Sequence, residues 1–434
     1  MTGAEISMPD KQLTALQLDR AMGALLGLAC GDALGAPYEF LPRVPYTTPI
    51  GMVGGNRMRW APGEWTDDTA MAHGIASVAA TGIDVRSVAA QDQIARNWWT
   101  WADGAVDIGR QISAVLGAAE EGGTAKAMRA AAVHYHQDNA QRSAGNGALM
   151  RTAPVALAYL GDDDEATLWQ AAQEIAALTH FERDAQEACA LWCLAIRHAV
   201  LFGSFDGLRL ALARLDAEPR ALWSARLDEA ERKQSWQFPN NGWTVAALQA
   251  AWSAIVHTGE SANRPDLGFC PAQHAPHEIE RAVRCGGDTD TVGAIAGALV
   301  GARWGASALP QAWLTKLHGW PDAKADDLKR LALLTVTAGG SAVLPPTVGL
   351  SAADIVPTVL VGGQLNAVFQ NGLLCRLYLL CAGEVFIRRG AAWLKTKGAP
   401  MGAQDVDADA IAVFDEAEMS GQIEMNKETD SAQT

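Results

Sequence analysis

Apolar residues recur every three or four positions through most of the first 340 residues. The clearest runs are 17–35, 66–82, 88–101, 107–120, 165–178, 184–202, 243–257 and 289–304. That spacing is the period of a helix with one buried side. Alternating apolar and polar positions, the pattern of a half-buried strand, are scarce before residue 340. The pattern predicts an all-α fold, a compact helical bundle whose connecting loops carry the chemistry.

Two of these helices carry a second period. Gly23, Gly27, Gly31 and Gly35 recur every four residues, as do Gly293, Gly297, Gly301 and Gly305. A helical glycine costs about 1 kcal/mol relative to alanine. Four in a row call for compensation, and close backbone approach along an i±4 ridge supplies it. The two helices are expected to be central and tightly packed, and to bring together the polar residues at their ends.

The pattern changes after residue 340. Gly339-Gly340 and Pro345-Pro346 interrupt the chain, residues 355–389 are apolar and partly β-branched, and the last thirty residues hold nine acidic side chains against one base, Lys427. Four segments are therefore expected: a flexible N-terminus over 1–15, a main domain over 16–338, an accessory subdomain over 341–400, and an acidic, partly disordered tail over 401–434. The net charge of −15 argues against a nucleic-acid binder that neutralises phosphates. No apolar run reaches the roughly 20 residues of a membrane span, and residues 1–15 lack the apolar core of a signal peptide. Seven scattered cysteines fit reduced thiols in the cytoplasm.

Candidate chemistry concentrates in two acidic motifs, Thr66-Asp67-Asp68-Thr69 and Asp288-Thr289-Asp290-Thr291, each opening a predicted helix. Carboxylates this close repel one another unless a cation lies between them. Oxygen donors without Cys or His point to Mg²⁺ or Mn²⁺ rather than zinc, and two such clusters suit a two-metal site. Helix capping accounts for one Asp in each motif but not for the set. Asp288 and Asp290 would diverge by about 200° in a regular helix, so they share a site only at a bent helix start, which Gly286-Gly287 permits. Gly145-Asn146-Gly147 is a small-residue loop able to present backbone N–H groups to a pyrophosphate, although such a tripeptide is also an ordinary turn. Trp65 is expected to line the cleft. Arg151 is expected to meet either a phosphate or a structural ion pair. His134 and His136 read as exposed, and Pro271 and Pro276 place His274 and His277 in a loop.

Together these pieces resemble the ADP-ribosylglycohydrolase family, from about Asp19 to Trp313 and in family order. The resemblance rests on Gly27 through Glu39, Pro62 through Thr69, Gly145 through Arg151, Leu178-Thr179-His180, Asn241 through Trp252 and Gly286 through Thr291, with Asp107-Ile108-Gly109 a weaker piece. It implies an orthogonal helical bundle of that family's type with a binuclear Mg²⁺ or Mn²⁺ centre. It also implies hydrolysis of the glycosidic bond between ADP-ribose and a modified protein, with arginine the favoured acceptor. Carried over by motif, the metal ligands are Glu39, Thr66, Asp67, Asp68, Asp288, Asp290 and Thr291. Gly145, Asn146, Gly147 and His180 contact the substrate. Asp68 and Glu39 are the candidates to accept a proton or to steady the positive charge that develops at the sugar. Some relatives act as immunity proteins, so inhibition of a cognate ADP-ribosyltransferase by surface contacts is the alternative function.

Overall fold

The computed structural model describes residues 13–55, 58–119, 123–262 and 274–339, and strand segments between 355 and 414. The expectations for 1–12 and for most of the acidic tail lie outside the described residues. Among the described residues of 13–339 the regular secondary structure is helical apart from a short ribbon, β1 (His318–Gly319) with β2 (Ala323–Lys324). The helices that matter for the site are α1 (Ala15–Gly35), α2 (Asp67–Ala79), α3 (Val88–Ala102), α4 (Arg110–Ala118) and α5 (Ala125–Asp138). They are followed by α6 (Ala153–Leu157), α7 (Glu165–Ala176), α8 (Arg183–Phe202), α9 (Gly207–Ala211) and α10 (Ala217–Arg232). The last are α11 (Thr244–Ala262), α12 (His274–Val283), α13 (Thr289–Trp304), α14 (Gln311–Leu314) and α15 (Ala325–Val336).

The centre of the bundle is the antiparallel pair α1 and α13. From Arg20 onward α1, like α13, has no polar face because it has no solvent side: nearly every residue of these stretches is buried. A Cβ placed on Gly27 would lie 2.1 Å from the carbonyl oxygen of Gly297, and one on Gly31 would lie 1.9 Å from that of Gly293. Gly23 faces Gly301 in the same way, at 2.2 Å. The two ridges therefore interlock backbone to backbone, and only hydrogen fits at these positions. Gly305, the C-cap of α13, ends the row, and a Cβ on Gly23 would also lie 2.7 Å from its carbonyl carbon. Buried tryptophans tie helices of the bundle together. Trp192 on α8 donates its indole N–H to the Ile295 carbonyl at 3.0 Å, and Trp98 on α3 donates to Met71 on α2 at 2.9 Å.

The strand segments between 355 and 414 belong to a second compact unit. Its seven strands are antiparallel: β3 (Ile355–Val356), β4 (Leu360–Val361), β5 (Gln364–Phe369), β6 (Leu374–Leu379), β7 (Val385–Arg389), β8 (Ala392–Thr396) and β9 (Ala412–Phe414). Sheet order is β3-β5-β6-β7-β8-β9, with β4 pairing to β5. Among the described residues no helix is long and apolar enough to cross a membrane.

Candidate active site

The interlocked glycines bring the C-terminal half of α1 against the N-terminus of α13. Gly35 lies so close that a Cβ would meet the Asp290 Cα at 2.4 Å, and Thr289 donates its hydroxyl to the Gly35 carbonyl at 2.9 Å. Gly286 and Gly287 sit at φ 78° and 72°, a region that other residues enter at a cost. This turn makes Asp288 the N-cap and Asp290 a first-turn residue, so both carboxylates line the same cleft.

Asp32 was not assigned a role from the sequence, and it organises the first motif. Its fully buried carboxylate accepts from the backbone N–H of Thr66 at 2.9 Å and of Thr69 at 3.0 Å, and from the Thr69 hydroxyl at 2.6 Å. Those N–H groups are orphan donors of the first turn of α2, so a residue of α1 caps α2 from outside. Thr66 is left free to donate its hydroxyl to Asp68 at 3.1 Å rather than to cap its own helix. Asp107, also unassigned, enters from the loop before α4, and the Gly109 N–H of that loop bonds Asp67.

Seven carboxylates thus converge. Oxygens of Asp32, Asp68 and Asp290 lie within 4.8 Å of one another, as do those of Glu39, Asp107 and Asp290. Glu39, Asp67, Asp288, Asp290 and Thr291 line the cleft together with Asp107. Asp68 and Thr66 lie behind that lining, and Asp67 and Asp288 fall outside both close groups. Burial, reinforced by the neighbouring carboxylates, raises Asp67, Asp68 and Asp290 well above the usual carboxylate range. Burial also raises Asp32 to about 6, despite its three threonine-derived hydrogen bonds, and Glu39 to about 8, where Asp107 and Asp288 add to it. One oxygen of Asp68 is buried with no hydrogen-bond partner among the described residues. Such an oxygen is costly unless something binds it. An all-oxygen set with this orphan fits a hard divalent cation.

A shell of amides holds the far side. Asn146 donates its side-chain N–H to Asp288 at 2.8 Å and to the Asn241 carbonyl at 2.9 Å. Asn241 in turn receives the Asp288 N–H at 3.1 Å and donates to the Gly286 carbonyl at 2.7 Å. Asn146 therefore reaches the acidic cluster, and its own backbone N–H is already bonded to the Gly242 carbonyl. Gly145 and Gly147 line the cleft, a space of roughly 450 Å³. That size suits a nucleotide-scale ligand. Replacing Asn146 by alanine removes the group that orients Asp288. Metal affinity is expected to drop by about 10- to 100-fold, the usual effect of losing such a support, in calorimetric titration with Mn²⁺.

Several expectations are corrected. Trp65 does not line the cleft. It is buried beneath the β1–β2 turn and donates its indole N–H to the Trp320 carbonyl at 3.2 Å. Arg151 does not line the cleft, and it makes no ion pair among the described residues. It is fully buried, 3.9 Å over the Trp98 ring, and donates to Thr179. His274 and His277 lie on α12, not in a loop. His136 is only half-exposed, bonded to Ser143 and packed on Phe181. His180 does line the cleft and is buried.

The described residues thus form a helical domain with buried carboxylates gathered beside a cleft. A family model described as ADP-ribosylglycohydrolase matches residues 13–342, and the chain belongs to that family. It is 32% identical to "ADP-ribosylarginine hydrolase Tri1" of Pseudomonas putida, over 69% of this chain and 74% of that protein. It is 31% identical to "ADP-ribosyl-[dinitrogen reductase] glycohydrolase" of Rhodospirillum rubrum, over 69% of this chain and 90% of that protein. A solved structure, "ADP-ribosylglycohydrolase-related protein complex", superposes with a TM-score of 0.53 at 30% identity, covering 75% of this chain and 99% of its own.

Proposed function

We propose that the chain hydrolyses the bond between ADP-ribose and arginine on modified proteins, with two Mg²⁺ or Mn²⁺ ions held by Glu39, Thr66, Asp67, Asp68, Asp288, Asp290 and Thr291. Asp32 and Asp107 complete that acidic set. The observation that carries the reading is the buried all-oxygen cluster, with its orphan Asp68 oxygen. The arginine acceptor follows the named activity of the Pseudomonas relative. We place the protein in the cytoplasm, where its buried free thiols at Cys30, Cys189, Cys193 and Cys285 stay reduced. Residues 341–400 are taken as an accessory unit.

Hydrolysis breaks the bond from the anomeric carbon to the guanidine nitrogen and forms one to a water oxygen, through an oxocarbenium-like state. Bound at the cluster, the metal pair would offset the carboxylate repulsion and activate that water. The remaining work falls to side chains. Glu39, on the cleft wall, accepts the proton of the water and returns it to the departing guanidine nitrogen, while Asp68, from behind the lining, steadies the positive charge at the sugar. Asn146 and Asn241 hold Asp288 in place. Gly145 and Gly147 let the diphosphate approach the loop without a side chain between. The test is incubation with Mg²⁺ and proteins ADP-ribosylated on arginine or on serine. Release of ADP-ribose from the arginine conjugate is the expected result. Release from the serine conjugate alone would overturn the acceptor assignment.

A further inference from the structure

We propose that Thr179, held by Arg151, is a positioning residue that fixes His180 as its Nε2–H tautomer, giving the cleft a neutral hydrogen-bond donor beside the glycine loop. Arg151 is fully buried and donates an N–H to the Thr179 hydroxyl at 2.6 Å. A guanidinium has no acceptor, so the Thr179 oxygen accepts. The same oxygen lies 2.7 Å from His180 Nδ1. Two arrangements satisfy that contact. If Nδ1 carried the hydrogen, the hydroxyl oxygen would face two donors, and its own hydrogen would find no acceptor among the described residues. Leaving a buried donor unused is unfavourable. If the hydroxyl donates to Nδ1, every group is paired, and the neutral ring carries its hydrogen on Nε2.

Nε2 points at the loop. It lies 3.3 Å from the position a Cβ would take on Gly145. The ring is kept neutral by burial and by the Arg151 charge, both of which push its pKa well below the usual histidine value. Gln111 steadies the arrangement by donating to the Thr179 carbonyl at 3.0 Å. Its own side-chain oxygen is buried without a partner among the described residues and lies 3.4 Å from the same Gly145 position. The corner is therefore polar and aimed at a ligand, and the Nε2–H would meet a ligand oxygen. The binding role rests on the ADP-ribose reading above, whereas the tautomer does not.

The test uses the full chain with ¹⁵N-labelled histidine, as wild type, T179V and T179S. Two-bond ¹H–¹⁵N correlation spectra show which ring nitrogen carries the hydrogen. Wild type and T179S are expected to show hydrogen on Nε2, and T179V is expected to lose that preference. Calorimetry with ADP-ribose should show about a threefold to tenfold weaker Kd in T179V, the effect of one neutral hydrogen bond, and its recovery in T179S. Hydrogen on Nδ1 in the wild type, or an unchanged tautomer in T179V, overturns the proposal. If T179V fails to fold, the wild-type spectrum decides. Wild type with the expected tautomer but no affinity for ADP-ribose would support the relay and overturn the ligand reading instead.

Discussion

Asp290→Asn is expected to abolish most activity while making the metal-free protein more stable at alkaline pH. Asp290 belongs to both carboxylate groups, so no other single change disturbs the cluster as widely. Losing about 4 kcal/mol of transition-state stabilisation, within the range ascribed to a metal site, lowers kcat/KM on the order of a thousandfold. The stability effect follows from linkage. Asp32 and Glu39 are raised to about 6 and about 8, and Asp67, Asp68 and Asp290 are also raised. The metal-free fold therefore binds protons more tightly than the unfolded chain. Its stability declines as pH rises from roughly 4, where unfolded carboxyls ionise, to about 8, where Glu39 does. Asp290→Asn removes one charge from the cluster, so the decline should become shallower. Thermal melts in chelator at several pH values check this, and parallel curves for the two proteins would refute it.

Gly27→Ala is expected to be among the most destabilising single-methyl changes in the chain. Its new Cβ would lie 2.1 Å from the Gly297 carbonyl oxygen, and the opposing atom is helix backbone. Overpacking typically costs about 1–3 kcal/mol. Here the neighbour cannot rotate away, so the upper end, about 3 kcal/mol, is the expected minimum. At about 2–4 °C per kcal/mol, Tm should fall by roughly 6–12 °C. Gly117→Ala on α4 is the control, because a Cβ there meets nothing within 4 Å. That change should be neutral or slightly stabilising, since alanine is the better helix former. Equal melting temperatures for the two variants would show that the ridge contact is not tight. Because α1 carries Asp32 and α13 carries Asp290, residual folded Gly27→Ala should also bind metal more weakly.

The helical frame was legible because its apolar spacing and its glycine rows are local signals. The run predicted at 184–202 is observed as α8, and that at 289–304 as α13. Helices with much polar surface were harder to read. α10 buries Pro219, Trp223, Leu227 and Ala230 at helical spacing, but alanines and Leu222 also fall among the charged residues of its exposed side, so the stripe is blurred. Pro276 suggested a loop, yet it is the third residue of α12, where a proline removes no helical hydrogen bond. In the site, paired carboxylates were visible as motifs, whereas of the single ones only Glu39 was assigned, through the family resemblance. Asp32 looked like an interruption of an apolar helix. The available signal was its place between Gly31 and Gly35 on a helix with no solvent side, where a lone charge must have partners. Asp107 and Asn241 lay within pieces of the resemblance, but they act through contacts with residues far away in sequence, so their local motifs did not assign them a role.

The central claim is that the acidic cluster holds a catalytic divalent metal pair. The most direct measurement is release of ADP-ribose from arginine-modified protein by the full chain, first stripped with EDTA and then resupplied with Mg²⁺ or Mn²⁺, with bound metal counted by mass spectrometry of the folded protein. Inactivity after stripping, recovery on resupply and two ions per chain are the predicted result. Full activity in the stripped protein would contradict the account.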